Sequence, residues 1–271
     1  MSLFDIKNKI ILITGGGGVL GSAMASYLLK NGAITIILGH RKETVANALT
    51  ALRKINDQAE GYVCNVLEEK SLQETADIII KKHKKIDVLI NAAGGNMPGA
   101  TIAEHQDIFD VNMDHFKKVV DLNLFGSITP SIVFGKEMAK RAQGVIINIS
   151  SMTAQSAITR VVGYSASKAA IDNYTKWLAV EFATKFGDGL RVNAIAPGFF
   201  IGNQNRDLLI DKKTGAYTDR GETIIKNTPM KRFGNTDELN GIIHYLCAEA
   251  SSFVTGIVIP IDGGFSAFSG V

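Results

Sequence analysis

Short apolar runs alternate with longer amphipathic stretches along nearly the whole chain. The runs at 10–14, 34–38, 61–64, 86–90, 144–149, 190–195 and 257–261 are rich in Ile, Val and Leu and read as buried strands. Between them apolar residues return at helical spacing. Leu20, Met24, Tyr27 and Leu28 mark one face of a helix that Asn31-Gly32 ends. This alternation predicts an α/β fold, a Rossmann-type doubly wound parallel sheet with helices on both faces. No Pro/Ser-rich linker divides the chain, so residues 1–271 are expected to form one domain. Residues 200–232 break the pattern as a polar, insertion-like segment, and are expected to act as a lid over a ligand.

The first strand runs into four glycines, Gly15 to Gly18, and then into the first helix. Glycines let a backbone approach a pyrophosphate, and a helix start offers N–H groups and a positive dipole end. The strand–glycine–helix order therefore predicts a dinucleotide site. After the second strand come Gly39, His40, Arg41 and Lys42, with no carboxylate before Glu43. A site for NAD usually places Asp or Glu there, whereas a cationic cluster suits the 2′-phosphate of NADP. NADP is expected in preference to NAD, with His40 and Arg41 as the contacts.

Candidate chemistry lies between 144 and 170. Tyr164 and Lys168 in YSASK are four apart and share one helix face, and Ser151 follows the apolar run VIINIS. A phenol ionises near pH 10, too high for easy proton exchange at neutrality, and an adjacent ammonium favours the phenolate. Serine, tyrosine and lysine so placed suit hydrogen-bonding a carbonyl oxygen and giving it a proton.

With both features present, the chain resembles the short-chain dehydrogenase/reductase family over nearly its full length. The family's TGxxxGxG loop corresponds to Thr14 through Gly21, with Val19 where a glycine is usual. The resemblance implies cofactor contacts from Gly15, Gly17, Gly18, Val19, Leu20 and Gly21. It extends them to Asn65-Val66, where the family has Asp-Val, and to Asn91, Ala92 and Gly94 of NAAG. Pro197, Gly198 and Phe200 of NAIAPGFF complete the set. It further implies Tyr164 as general acid/base, Ser151 polarising the carbonyl, and Lys168 tuning Tyr164 and binding the nicotinamide ribose. Asn123 in VVDLNLFGS would hold a relay water. Gly202 replaces a threonine frequent in the family.

Within that family, GGNMPGAT at 94–101, PGFFIGNQNRDLL at 197–209 and the ending DGGFSAFSGV resemble the D-mannonate oxidoreductases (fructuronate reductases). That implies a sugar-acid substrate. Arg206 is then a candidate for its carboxylate, and Asn96, Gln204 and Asn205 for its hydroxyls. The rivals are a reductase of another ketone, such as a 3-ketoacyl thioester, and a non-catalytic nucleotide sensor. The family is commonly a homotetramer, and helices over 102–125 and 164–186 are expected at interfaces, the second through Tyr174, Trp177, Leu178 and Phe182.

Composition narrows the remaining choices. The net charge of +3 is slight, and the one dense basic run, KKHKK at 81–85, reads as the solvated end of a helix, so no nucleic-acid partner is expected. Cys64 and Cys247, in apolar contexts, read as free thiols of a cytoplasmic protein. No leader or membrane span is expected. His40, His83, His105, His115 and His244 are scattered without metal-ligand spacing, so no metal is expected.

Overall fold

In the computed structural model, which describes residues 2–202 and 206–270, seven parallel strands form one sheet. They are β1 (Ile10–Thr14), β2 (Ile34–Gly39), β3 (Glu60–Val63), β4 (Val88–Asn91), β5 (Gly144–Ile149), β6 (Leu190–Pro197) and β7 (Val258–Ile261), in the order β3-β2-β1-β4-β5-β6-β7. All seven predicted runs are strands, with ends displaced by one or two residues. The β4 register explains the largest shift. Asp87 is spent at the base of β1, where its N–H donates to the Ile10 carbonyl and its carboxylate accepts from the Ile10 N–H, so pairing with β1 begins at Val88.

Alternate side chains feed two cores. Ile11, Ile13, Ile37, Ile90 and Ile147 face α1 (Val19–Lys30), α2 (Lys42–Arg53) and α9 (Asn240–Cys247). Ile10, Leu12, Ile36, Leu89 and Ile146 face α3 (Glu69–His83), α5 (Gly126–Ala139) and α6 (Val162–Phe186). A strand buried on both faces must be apolar throughout, hence the continuous runs in the sequence. Chain order reverses between β1 and β4, and the crevice at the carboxyl ends of strands beside such a switch is where open α/β sheets bind ligands.

Three further helices complete the chain. They are α4 (Met113–Val120), α7 (Arg206–Leu209) and α8 (Asp219–Asn227). Segment 200–232 builds a small core of its own from Leu209 and Ile224 with Phe233, against which Phe199, Ile201 and Ile210 pack. The basic run 81–85 closes α3 as expected, but its charges are partly paired: Lys82 and His83 with Glu60, Lys85 with Asp87. Cys64 and Cys247 are free and buried. Among the described residues no helix is long and apolar enough to cross a membrane.

The expected oligomer face of α6 is smaller than the sequence suggested. Leu178 and Phe182 turn into the core and Tyr174 packs against it, while Trp177 stays 60% and Val180 67% exposed. Twenty-five residues of one helix must cover β5 and β6, and that takes the apolar positions first.

Candidate active site

The glycine turn after β1 is shaped by close approach. Gly15 has φ 65°, and a Cβ there would lie 2.8 Å from the Ala92 carbonyl oxygen. A Cβ on Gly21 would lie 2.4 Å from the Gly15 oxygen, so the helix could not seat on the turn with any other residue. Gly18 caps α1 without a side chain to occupy the helix's first N–H groups, which stay available to an anion. These residues fit a dinucleotide pyrophosphate. The two departures from the family pattern face each other, since a Cβ on Gly202 would meet Val19 Cγ2 at 3.6 Å. Leu20 follows Val19 into the first turn of α1.

The wall of the crevice comes from the end of β4. Thr14 Oγ1 accepts the N–H groups of Ala92 and Ala93, each at 3.1 Å, and ties the β4 loop to β1. Asn91 does not face the crevice: its amide donates to Ser131 Oγ and Asn148 Oδ1, inside a fully buried chain that continues to Thr175. His40 and Arg41 stand exposed after β2, with Arg41 at the start of α2 and no carboxylate before Glu43 in its first turn. Asn65 is held by Glu68, and Val66 is buried against Gly126. Pro197 ends β6, and Gly198 lies so near Asp262 that a Cβ would approach its Cα to 2.6 Å. Phe200 enters the core rather than the crevice, stacked on Gly234.

The chemistry-bearing groups converge at the end of β5. Ser151 opens a short 3-10 turn (Met152–Ala154) and hydrogen-bonds Tyr164. Lys168 Nζ sits 5.4 Å from the Tyr164 ring centroid and donates to the Ile149 carbonyl at 2.7 Å. Asn123 lies in a π-helical turn (Asp121–Phe125) between α4 and α5, a feature often found at functional sites. Its amide donates to the Gly95 and Val119 carbonyls at 2.7 and 2.8 Å, and its Oδ1 accepts the Gly95 N–H at 3.1 Å. That clamp presents Gly94 to Lys168, since a Cβ there would lie 3.4 Å from Nζ.

Electrostatics depart from the sequence expectation. Burial raises the Tyr164 pKa above 10, with the Ser151 hydrogen bond opposing it, instead of the phenol being drawn down by Lys168. The ammonium is itself weakened: burial lowers Lys168 to about 8, and Asp172 only partly restores it. Asp172, one turn further along α6, accepts from Ser150 Oγ and is also raised by burial. A phenol held protonated beside a serine hydroxyl can donate to an oxygen placed between them.

Among the residues expected to meet substrate, Asn96 is half-buried with its Oδ1 taking the Met97 N–H. Arg206 is exposed at the start of α7, its N–H bonded to the Gly202 carbonyl. Gln204 and Asn205 lie outside the described residues. Sequence reasoning did not single out Asn148, Thr175 or Ser131, whose partners lie 27 to 57 positions away along the chain, nor Asp172, which reaches back to Ser150.

Comparison with known proteins gives this geometry relatives. The short chain dehydrogenase family model matches residues 9–212. The crystal structure of a candidate D-mannonate oxidoreductase from Haemophilus influenzae with bound NAD is 42% identical, covers 98% of both chains and superposes with a TM-score of 0.91. A 2-dehydro-3-deoxy-D-gluconate 5-dehydrogenase of Formosa agariphila is 33% identical over 100% of this chain and 97% of its own. A gluconate 5-dehydrogenase from Burkholderia cenocepacia, in complex with NADP and tartrate, is 28% identical, with 98% of each chain covered and a TM-score of 0.85. The chain belongs to the short chain dehydrogenase family and is an NAD(P)-dependent oxidoreductase.

Proposed function

We propose that the protein interconverts the alcohol and ketone forms of a sugar acid, with D-mannonate and D-fructuronate as the pair, and that it prefers NADP to NAD. The observation that carries the chemistry is the convergence of Ser151, Tyr164 and Lys168 beside Gly94, in the loop whose Ala92 and Ala93 pack on Gly15 of the glycine turn. The three similar proteins named above support the substrate class, two by the gluconate derivatives in their names. When bound, the nicotinamide supplies or accepts the hydride. Ser151 and Tyr164 hold the substrate oxygen by hydrogen bonds. Tyr164 gives it a proton in reduction and takes one in oxidation. Lys168 holds the nicotinamide ribose and favours the ionised phenol once Tyr164 has given up its proton. Asn123 holds the water through which that proton is replaced, and its amide fixes the backbone at Gly94-Gly95. Segment 200–232 acts as a lid that excludes water. The direct test is turnover with these two sugar acids against both cofactors.

Cofactor preference rests on Arg41, with His40 beside it. Arg41→Ala should weaken NADP binding at least about tenfold, the loss of roughly 1.4 kcal/mol expected of a charge-assisted contact, and leave NAD binding nearly unchanged. Titration of protein fluorescence with each cofactor reads both numbers. Equal losses for the two would reject a 2′-phosphate contact.

The protein is also proposed to be a cytoplasmic homotetramer. Trp177 and Val180 on α6, together with Ile132 on α5, leave apolar area uncovered. Light scattering at micromolar concentration should give four times the 29.1 kDa chain mass. A monomer under those conditions would contradict it.

A further inference from the structure

Two side-chain bonds fasten the end of β5 to consecutive turns of α6. Lys168 Nζ donates to the Ile149 carbonyl at 2.7 Å, and Ser150 Oγ donates to the Asp172 carboxylate. On the helix, Tyr164, Lys168 and Asp172 follow one another four apart and share one face. On the strand side, Ile149, Ser150 and Ser151 are consecutive. Ser150 is thus bolted between the residue that Lys168 holds and the serine that meets Tyr164. Its other flank is fixed as well, because its N–H donates to the Ile195 carbonyl of β6 at 2.8 Å.

Asp172 has no other evident task. It is half-buried, and among the described residues it makes no ion pair. A carboxylate kept partly out of water without a cation costs free energy, so its place here calls for a use. Ser150 is buried, and its hydroxyl has a single proton to give. The Lys168 carbonyl lies 3.5 Å from Ser150 Oγ, farther than the carboxylate, and an ionised acceptor makes the stronger bond.

Resting on the reading of Ser151, Tyr164 and Lys168 as the reacting groups, we propose that Asp172 is a positioning residue for the reaction and acts through Ser150. The clamp sets how the end of β5 stands against α6. It thereby sets the Ser151 hydroxyl, carried by the strand side, against the Tyr164 phenol, carried by the helix. Both must reach one substrate oxygen at once, and a displacement of about 1 Å can cost about 10²-fold in rate. Asp172 itself touches neither substrate nor cofactor in this role.

The test compares wild type, Ser150→Ala, Asp172→Ala and Asp172→Asn as holoenzyme with saturating cofactor. Ser150→Ala and Asp172→Ala should each lower kcat for the sugar acid at least about tenfold, with KM and cofactor affinity within about threefold. The double variant should be no slower than the slower single one. Asp172→Asn, whose amide oxygen still accepts from Ser150, should recover most of the loss. Lower melting temperatures with kcat unchanged would make the clamp structural only and overturn the proposal. A loss in Asp172→Ala that Ser150→Ala does not share would also overturn it, since the carboxylate would then act by its charge.

A second readout needs no substrate. Denaturant unfolding of the intact chain gives the coupling between Ser151→Ala and Tyr164→Phe. That coupling should be measurable in the wild-type background and lost in the Asp172→Ala background. No coupling in wild type, or the same coupling in both backgrounds, would overturn the clamp. If wild type turns over no sugar acid, the substrate reading falls and this coupling decides the proposal by itself. Sugar-acid turnover untouched by Tyr164→Phe would overturn the clamp's role together with the reading it rests on.

Discussion

Tyr164→Phe is expected to lower turnover by about 10²–10⁴-fold, the range supplied by a positioned general acid or base. The substitution removes one oxygen from a side chain that α6 already holds, so cofactor affinity should stay within about a factor of two. The Phe ring fills the same volume beside Lys168, and Ser151 keeps its second bond, to the Thr153 N–H, so the fold should be unaffected. Steady-state rates and a cofactor titration on one preparation separate the two effects. Near-wild-type turnover would remove Tyr164 from the chemistry, and loss of cofactor binding would make its role structural.

Lys168→Met should be equally damaging to turnover and should barely disturb stability at neutral pH. Lys168 is 3% exposed, and its pKa is about 8 in the fold against 10.5 ordinarily. The charged form is thus disfavoured by folding, at roughly 1.4 kcal/mol for each tenfold loss of proton affinity. Below pH 8 both folded and unfolded chains carry the proton and the full cost is present. Between pH 8 and 10.5 the unfolded chain binds the proton and the folded chain does not, so this group's contribution becomes more favourable as pH rises. The methionine removes a cost of about 3 kcal/mol at pH 7 and leaves the Ile149 carbonyl unpaired at about 1–3 kcal/mol, so the two nearly cancel. In melts of the cofactor-free protein, the variant should match wild type within a few degrees at pH 7 and fall behind it by pH 10. A variant that melts far below wild type at pH 7 would mean Lys168 is chiefly a structural donor.

These two residues show what the sequence could reveal and where it stopped. Tyr164 and Lys168 were legible because a helix puts positions four apart on one face, whatever surrounds them. The direction of the Tyr164 shift was not, because it depends on how deeply the loops bury the phenol, and here burial outweighs its neighbours. The strands were legible because both their faces are covered, which writes continuous Ile and Val runs into the chain. The outward face of α6 was overestimated for a related reason: an apolar residue on a long helix reads the same whether it meets the sheet, as Leu178 and Phe182 do, or solvent, as Trp177 does. Phe200 sits in a motif that lines the crevice in the family, yet its ring turns inward onto Gly234, a contact 34 positions away that no local pattern announces.

The central claim is that Ser151, Tyr164 and Lys168 reduce and oxidise a sugar acid. The most direct measurement is the change in nicotinamide absorbance when purified protein meets D-mannonate with oxidised cofactor, and D-fructuronate with reduced cofactor, using NAD and NADP in turn. Turnover in both directions, faster with the NADP couple and abolished in Tyr164→Phe, is the predicted result. Cofactor binding without turnover of either sugar acid would contradict the account.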